Sequence, residues 1–545
     1  MHQGVDLVLT GAPVYTLDAA RRRADAVAIG GGRIVAVGPA EEVRALGGRG
    51  ARVVELDGGM VVPGFQDAHL HPISGGLMRA RCDLREARTA AECVDVVRRY
   101  AEAHPEREWI VGDGWSMDSF PGGTPDRASL DAVVPDRPVY LENRDGHGAW
   151  VNARALELAG VTAATVDPAD GRIERLPGGD PQGTLHEGAK ELVERLLPQP
   201  SRQNLEQAIL TAQAELHALG ITAWQEASVE PETLPAYRAV AERGELTMRT
   251  EGNLRWTRER GEEQIADMVA LRAEGSVGRL RIRGAKIFQD GVAENYTAAL
   301  LDSYLGPDGR PTGNTGLGMH EPEELTRMVT LLDAEGFQVH IHAIGDRAVR
   351  ESLDAVEAAR RANGARDARH HLAHIQFVHP DDVPRFRELG VVANAQPYWA
   401  CREGYVTDLT EPFVGPERSG WMYPFGSLRR AGAALAFGSD WTVSTPNPLE
   451  IMEVAVRRIQ PGADAEPLLA AEAVDLPAAL AAATVGSAYV NFLEGETGSL
   501  EVGKAADLAV LDRDLFALQD ARVSEARVLL TLVEGETVFA VPGLA

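Results

Sequence analysis

The sequence predicts an α/β protein: a (β/α)₈ barrel with a small β-sandwich built from both chain ends and a long insertion after the first barrel strand. Three observations predict it. At 545 residues the chain exceeds the roughly 250–300 residues at which one hydrophobic core stops growing, so a large domain with a smaller appendage is expected. Short apolar runs alternate with amphipathic helical stretches through the middle, the pattern of a parallel sheet. Both ends read as β-hairpins, and neither could bury a sheet alone.

The ends come first. Residues 27–38 are two apolar runs joined by Gly30-Gly31-Gly32, a hairpin signal. Residues 506–511 and 528–540, the latter turning at Glu534-Gly535-Glu536, look alike. Pairing the two ends gives a discontinuous domain of residues 1–62 plus 497–545, leaving 63–496 for the barrel.

Within the barrel, strand candidates are Val61-Val62-Pro63-Gly64-Phe65 and residues 280–287, 337–342, 371–375, 391–395 and 434–437, with helices over 322–335 and 348–362. The size fits eight β/α units. Residues 75–215 break the rhythm with Gly112-Asp113-Gly114-Trp115 and Pro121-Gly122-Gly123-Thr124-Pro125. They read as an insertion above the active-site mouth.

Composition narrows the function. A balance of 54 basic against 81 acidic residues gives a net charge of −27. Such a surface repels phosphate backbones and anionic lipid, so neither nucleic acid nor membrane is an expected partner. Cys82, Cys93 and Cys401 form neither a disulfide framework nor a cysteine zinc pattern. The first residues lack a basic, apolar leader, and no apolar run reaches the ~18–20 residues of a membrane span, so a cytoplasmic location is expected. Lysine occurs only as Lys190, Lys286 and Lys504. Base composition of the genome could produce that scarcity, yet each retained lysine calls for a reason.

The chemistry begins at Gly64-Phe65-Gln66-Asp67-Ala68-His69-Leu70-His71-Pro72. Residues two apart on a strand share a side, so His69 and His71 can offer both imidazoles to one cation. Alone, a His-x-His pair is a weak signal, and any single histidine is as well read as a packed core residue. Four later positions join it, each near the C-terminal end of a strand candidate: Lys286, His342, His374 and Asp440. Strand C-termini converge on one face of a barrel. Imidazole and carboxylate donors together suit zinc first, with manganese, iron or nickel as alternatives, and one or two ions.

Lys286 is the odd member, because a protonated amine beside a cation repels it. Carbamylation by carbon dioxide would turn it into an anionic oxygen ligand, a reaction closed to arginine. An ordinary strand-end lysine is the alternative.

With these residues in order, the chain resembles the amidohydrolase superfamily, within the amidohydrolase 3 group of N-substituted formamide deformylases and YtcJ-like proteins. The matching segments are the stretch ending at His71, Lys286-Ile287-Phe288-Gln289-Asp290-Gly291, His342-Ala343-Ile344-Gly345-Asp346-Arg347, Ala395-Gln396-Pro397, Gly438-Ser439-Asp440-Trp441 and residues 498–508. The resemblance implies a deformed TIM barrel. It also implies that His69, His71 and Asp440 hold one metal and His342 and His374 a second, with carboxylated Lys286 as the bridge. Asp145-Gly146-His147-Gly148-Ala149-Trp150 and Gly183-Thr184-Leu185-His186-Glu187 match the subgroup within the insertion. His147, Glu187 and Trp115 are the candidates for substrate contact. Two residues depart from the subgroup: Ala373 stands where a glutamate often precedes the strand-six histidine, leaving the support of His374 open, and Gln66 replaces an aliphatic residue.

The expected reaction is hydrolysis of a non-peptide C–N bond in a small molecule, such as an N-substituted formamide or an N-acyl compound. In it a metal-activated hydroxide attacks, and Asp440 serves as general base and then acid. A heterocycle aminohydrolase is the nearest rival, although Gly345 stands where those enzymes tend to place a glutamate. A non-catalytic binding protein of the same fold is the second rival. A homodimer is the assembly left open.

Overall fold

The computed structural model describes residues 4–48 and 50–544. The outermost positions of the expected terminal domain and of the leader reading, residues 1–3 and 545, lie outside the described residues. The centre is an eight-stranded parallel sheet. Its strands are β1 (Phe65–Leu70), β2 (Ile221–Val229), β3 (Arg249–Arg255), β4 (Leu280–Phe288), β5 (Gln338–Ala343), β6 (His371–His374), β7 (Val392–Ala395) and β8 (Leu435–Phe437). They follow one another in chain order around the sheet. The ring closes just past its last strand: the Asp440 N–H donates to the His69 carbonyl at 2.7 Å, and the His71 N–H to the Trp441 carbonyl at 2.8 Å. The barrel seam therefore runs through the candidate ligands themselves.

Strands β4 to β8 lie where their apolar runs place them. β2 and β3 were not assigned from the sequence, for a physical reason. Buried Gln225, Glu226, Glu251 and Asn253 interrupt the apolar runs by which a fully buried parallel strand is recognised. Val61-Val62-Pro63 belongs not to the barrel but to the terminal sheet, as part of the strand Met60–Pro63.

The two ends do join. The strands Leu7–Tyr15, Arg23–Gly30, Arg33–Gly38, Arg52–Glu55, Met60–Pro63, Leu508–Leu511, Val528–Val533 and Glu536–Ala540 form one connected eight-stranded sheet. Both predicted hairpins turn on residues with positive φ: Gly31 and Gly32 in one, Glu534 and Gly535 in the other. Such a left-handed pair matches the right-handed twist of the flanking strands. The first strand changes partner along its length. Leu7 to Thr10 pair with Arg52 to Glu55, and Val14 pairs with Val61.

Sheet and barrel meet at Arg249. Its guanidinium reaches Asp507 at 2.6 Å and Glu534 at 2.8 Å, and Asp507 is itself buried. Replacing Arg249 by Met leaves that carboxylate uncompensated, a loss of about 3–5 kcal/mol. A fall in thermal midpoint should follow, with the Lys variant intermediate; an unchanged midpoint for Arg249→Met would contradict the pairing.

Between β1 and β2 lies a six-stranded sheet ordered Gly171–Arg175, Pro181–Glu187, Gly148–Val151, Val139–Asn143, Ile110–Trp115, Cys82–Asp83, with apolar clusters of its own. The helix Arg202–Ala218, counted with the insertion from sequence, instead contributes Leu205, Ile209, Ala212 and Leu216 to the barrel's core. The inserted unit thus ends before Arg202. No helix among the described residues is long and apolar enough to cross a membrane.

Candidate metal centre

The C-terminal ends of the strands open into a cavity of about 730 Å³, lined by His69, His71, Lys286, His342, His374 and Asp440, and on its insertion side by His147 and Glu187. All six expected ligands therefore face one space.

Each is placed by the backbone beneath it. Asp67, His69 and His71 alternate along β1 and past its end. Buried Asp67 accepts the N–H of His69 at 3.0 Å and that of Ser439 at 3.0 Å, tying the Asp440 loop to β1. His374 and Asp440 carry φ of 76° and 51°, a left-handed conformation that costs non-glycine residues free energy and gathers at functional sites.

The distances between donors are informative. Asp440 Oδ1 lies 3.4 Å from His69 Nε2 and 3.3 Å from His71 Nε2, while Asp440 Oδ2 lies 3.8 Å from His374 Nδ1. Four ligands about 2.0–2.1 Å from a tetrahedral zinc stand about 3.3–3.4 Å apart, which is the spacing of the first two contacts. Donor atoms of His69, His374 and Asp440 all fall within 4.8 Å of one another. His374 Nδ1 and Asp440 Oδ1 are buried and make no hydrogen bond to any described residue, a costly arrangement unless something else completes them. The donor set fits a divalent cation.

Electrostatics agree. Burial alone would raise the Asp440 carboxyl, but the His69, His71 and His374 imidazoles outweigh it and hold the group well below the usual carboxylate range. Burial alone would lower His71; Asp440 and Glu226 reverse this and lift it to about 9. The other candidate imidazoles go the opposite way: burial brings His69 down to about 3 and holds His342 and His374 well below the usual imidazole range, which leaves them neutral and able to ligate. Lys286 makes no hydrogen bond or ion pair to a described residue, and its Nζ lies 4.9 Å from the Phe288 ring. Burial brings its amine down to about 7 against the opposing pull of Asp440. Lys190, by contrast, is paired with Glu142 at 2.5 Å.

Outside the donor set, carboxylates orient two of the rings. Glu226 Oε1 lies 3.6 Å from His71 Nδ1 and is held through the Tyr237 hydroxyl, which donates to Oε2 at 2.6 Å. Asp290 Oδ1 lies 3.1 Å from His342 Nδ1 and accepts the Ile344 N–H at 3.0 Å. Such partners fix which ring nitrogen faces the site. Sequence reasoning missed Glu226 because β2 went unassigned, and missed Asp290 although it lies within a motif that was recognised. It also assigned no role to His340, whose spacing two residues before His342 could have shown that both share a side of β5. Ala373 offers His374 no side-chain partner; the residue is held by its own N–H, which donates to Gln396 Oε1 at 2.7 Å, and by its ring, which stacks on Trp399 at 5.4 Å. Gln66 is buried, with both amide atoms unpaired among the described residues.

His147 Nδ1 and Glu187 Oε2 pair at 2.8 Å. Burial works against both charges, but each holds the other, lifting His147 to about 9 and lowering Glu187 to about 2. Trp115 corrects an expectation. It is fully buried, donates Nε1–H to the Leu141 carbonyl at 2.8 Å and packs on Phe120 and Trp150. It is a core residue of the insertion, and its neighbours Asp113 and Gly114 line the cavity instead.

Known proteins match this architecture over nearly its whole length. The model of the Amidohydrolase family matches residues 52–539. Protein LONG AFTER FAR-RED 3 of Arabidopsis thaliana is 33% identical, covering 98% of this chain and 91% of its own. N-substituted formamide deformylase of Arthrobacter pascens is 30% identical, covering 98% of each chain. Among solved structures, a metal-dependent hydrolase from Pyrococcus horikoshii OT3 is similar at a TM-score of 0.73 with 26% identity, over 94% of this chain and 99% of that one.

Proposed function

Because this chain belongs to the Amidohydrolase family, hydrolases of carbon–nitrogen bonds, we propose that it cleaves a non-peptide amide-like bond in a small N-substituted formamide or N-acyl compound. The observation that carries the reading is the tetrahedral spacing of Asp440 Oδ1 from two histidine nitrogens. His69, His71 and Asp440 would hold one divalent ion, zinc by donor type. His342 and His374 would hold a second, with carboxylated Lys286 between them. The formamide class is supported by the Arthrobacter pascens relative.

A divalent ion in this site supplies Lewis acidity toward the acyl oxygen and brings the pKa of water toward neutrality. The chain's own residues do the rest. Asp440, ionised through the neutral range, takes a proton from the attacking water at its carboxylate and returns it to the leaving nitrogen. Glu226 and Asp290 keep Nε2 of His71 and His342 turned to the cavity. His147, charged through its pairing with Glu187, presents a donor to the substrate from the insertion side.

The test is a screen of the zinc-loaded full chain against N-formyl amines, other small N-acyl amines and heterocyclic amides. Release of formate or another acid with the free amine is expected. Turnover confined to loss of ammonia from heterocycles would replace this reading with deamination.

A further inference from the structure

His71 and His342 each present one nitrogen to the cavity because a carboxylate, which accepts and does not donate, holds the other. His69 is different. Its Nδ1 faces another imidazole, His340 Nε2, at 2.9 Å, and a neutral imidazole both donates and accepts. His340 Nδ1 in turn lies 2.8 Å from Nδ2 of the Asn253 amide. All three residues are buried.

A neutral imidazole carries one N–H, so the chain His69–His340–Asn253 must run in one direction. If Asn253 donates, His340 donates to His69, and the His69 proton sits on Nε2, the atom 3.4 Å from Asp440. Cation binding there is then blocked. If Asn253 accepts, every proton moves to the other nitrogen and His69 Nε2 presents its lone pair to the cavity. A half-turn of the amide exchanges the two. Asn253 Oδ1 is a buried acceptor without a partner among the described residues, and it becomes satisfied when it faces His340 Nδ1–H. Gly284 leaves the amide its room, since a Cβ there would fall 1.8 Å from Oδ1.

We infer that Asn253 is a positioning residue which, through His340, sets the tautomer of His69 and with it the centre's affinity for its cation. The inference rests on the metal reading proposed above. It is tested on full-length wild type, Asn253→Asp, Asn253→Leu and His69→Ala, by zinc affinity from chelator competition and by the visible spectrum of the cobalt-loaded protein. Asp keeps the size of Asn and accepts without donating, so its affinity should stay within about threefold of wild type, whereas Leu should lose about 10–100-fold. The cobalt spectrum should change only in the Leu variant. Zinc bound as tightly by Asn253→Leu as by wild type would overturn the inference. Should the Leu variant fail to fold, the Asp variant decides, and a loss of about tenfold or more there overturns it as well. Wild type that binds no zinc, or binds it no better than His69→Ala, would remove the metal reading itself. That outcome is distinct from a wild type that binds zinc and ignores Asn253.

Discussion

Asp440→Asn is expected to lower kcat by about 10²–10⁴-fold, the range general acid–base catalysis contributes. The side chain sits where three imidazoles converge, 3.3 to 3.8 Å from their nitrogens. Asn fills the same volume but can neither take a proton from water nor return one to the leaving nitrogen. Because it also exchanges an anionic donor for a neutral one, zinc content must be measured alongside kcat, and the rate read at saturating metal. Retention of more than about a tenth of wild-type kcat under those conditions would remove Asp440 from proton transfer. The sign of the pH effect follows from the lowered carboxyl. Asp440 stays ionised as pH falls through neutrality, so an activity loss between pH 8 and 6 must come from another group.

In the proposed centre Lys286 is one candidate, beside the buried carboxyls of Asp67 and Asp290, which burial raises to about 7. The proposed carbamylation of Lys286 would be R–NH₂ + CO₂ → R–NH–COO⁻ + H⁺, which needs the neutral amine. Burial places the amine at about 7, so the neutral form is abundant above that pH and falls away below it. Lys286→Arg, permanently charged, should lose about 10³-fold in kcat/KM, a barrier increase of several kcal/mol. Metal-stripped wild type in CO₂-free buffer should regain activity on adding zinc only when bicarbonate is added too, and more slowly at pH 6 than at pH 8. Wild-type activity in the Arg variant would reduce the centre to a single ion without a bridge.

The barrel and its candidate ligands were legible because their signals are local. His69, His71, His342, His374 and Asp440 stand at strand ends that apolar runs announce. What stayed hidden depends on partners far apart in sequence. Glu226 and Asn253 lie on strands whose buried polar residues mask them. His340 gains a role only from the ring of His69, brought near by barrel closure. Trp115 was misplaced for the opposite reason: its Gly-Asp-Gly-Trp stretch breaks the strand–helix rhythm, yet it belongs to the strand Ile110–Trp115, whose own core packs the indole. Composition shows that an insertion exists; only packing shows which of its side chains reach the cavity.

The terminal sheet has a consequence for biosynthesis. Met60–Pro63 pairs antiparallel with Leu508–Leu511, so one strand must wait for another made several hundred residues later. At ribosomal speeds of about 5–20 residues per second that interval is on the order of half a minute. Throughout it the edge of Met60–Pro63 stays open and its apolar side chains lack their cover. During that time the nascent chain offers a sticky strand edge to chaperones or to its neighbours on the same message. Yield in a cell should therefore respond to translation rate and chaperone supply more steeply than the finished protein's stability would foretell.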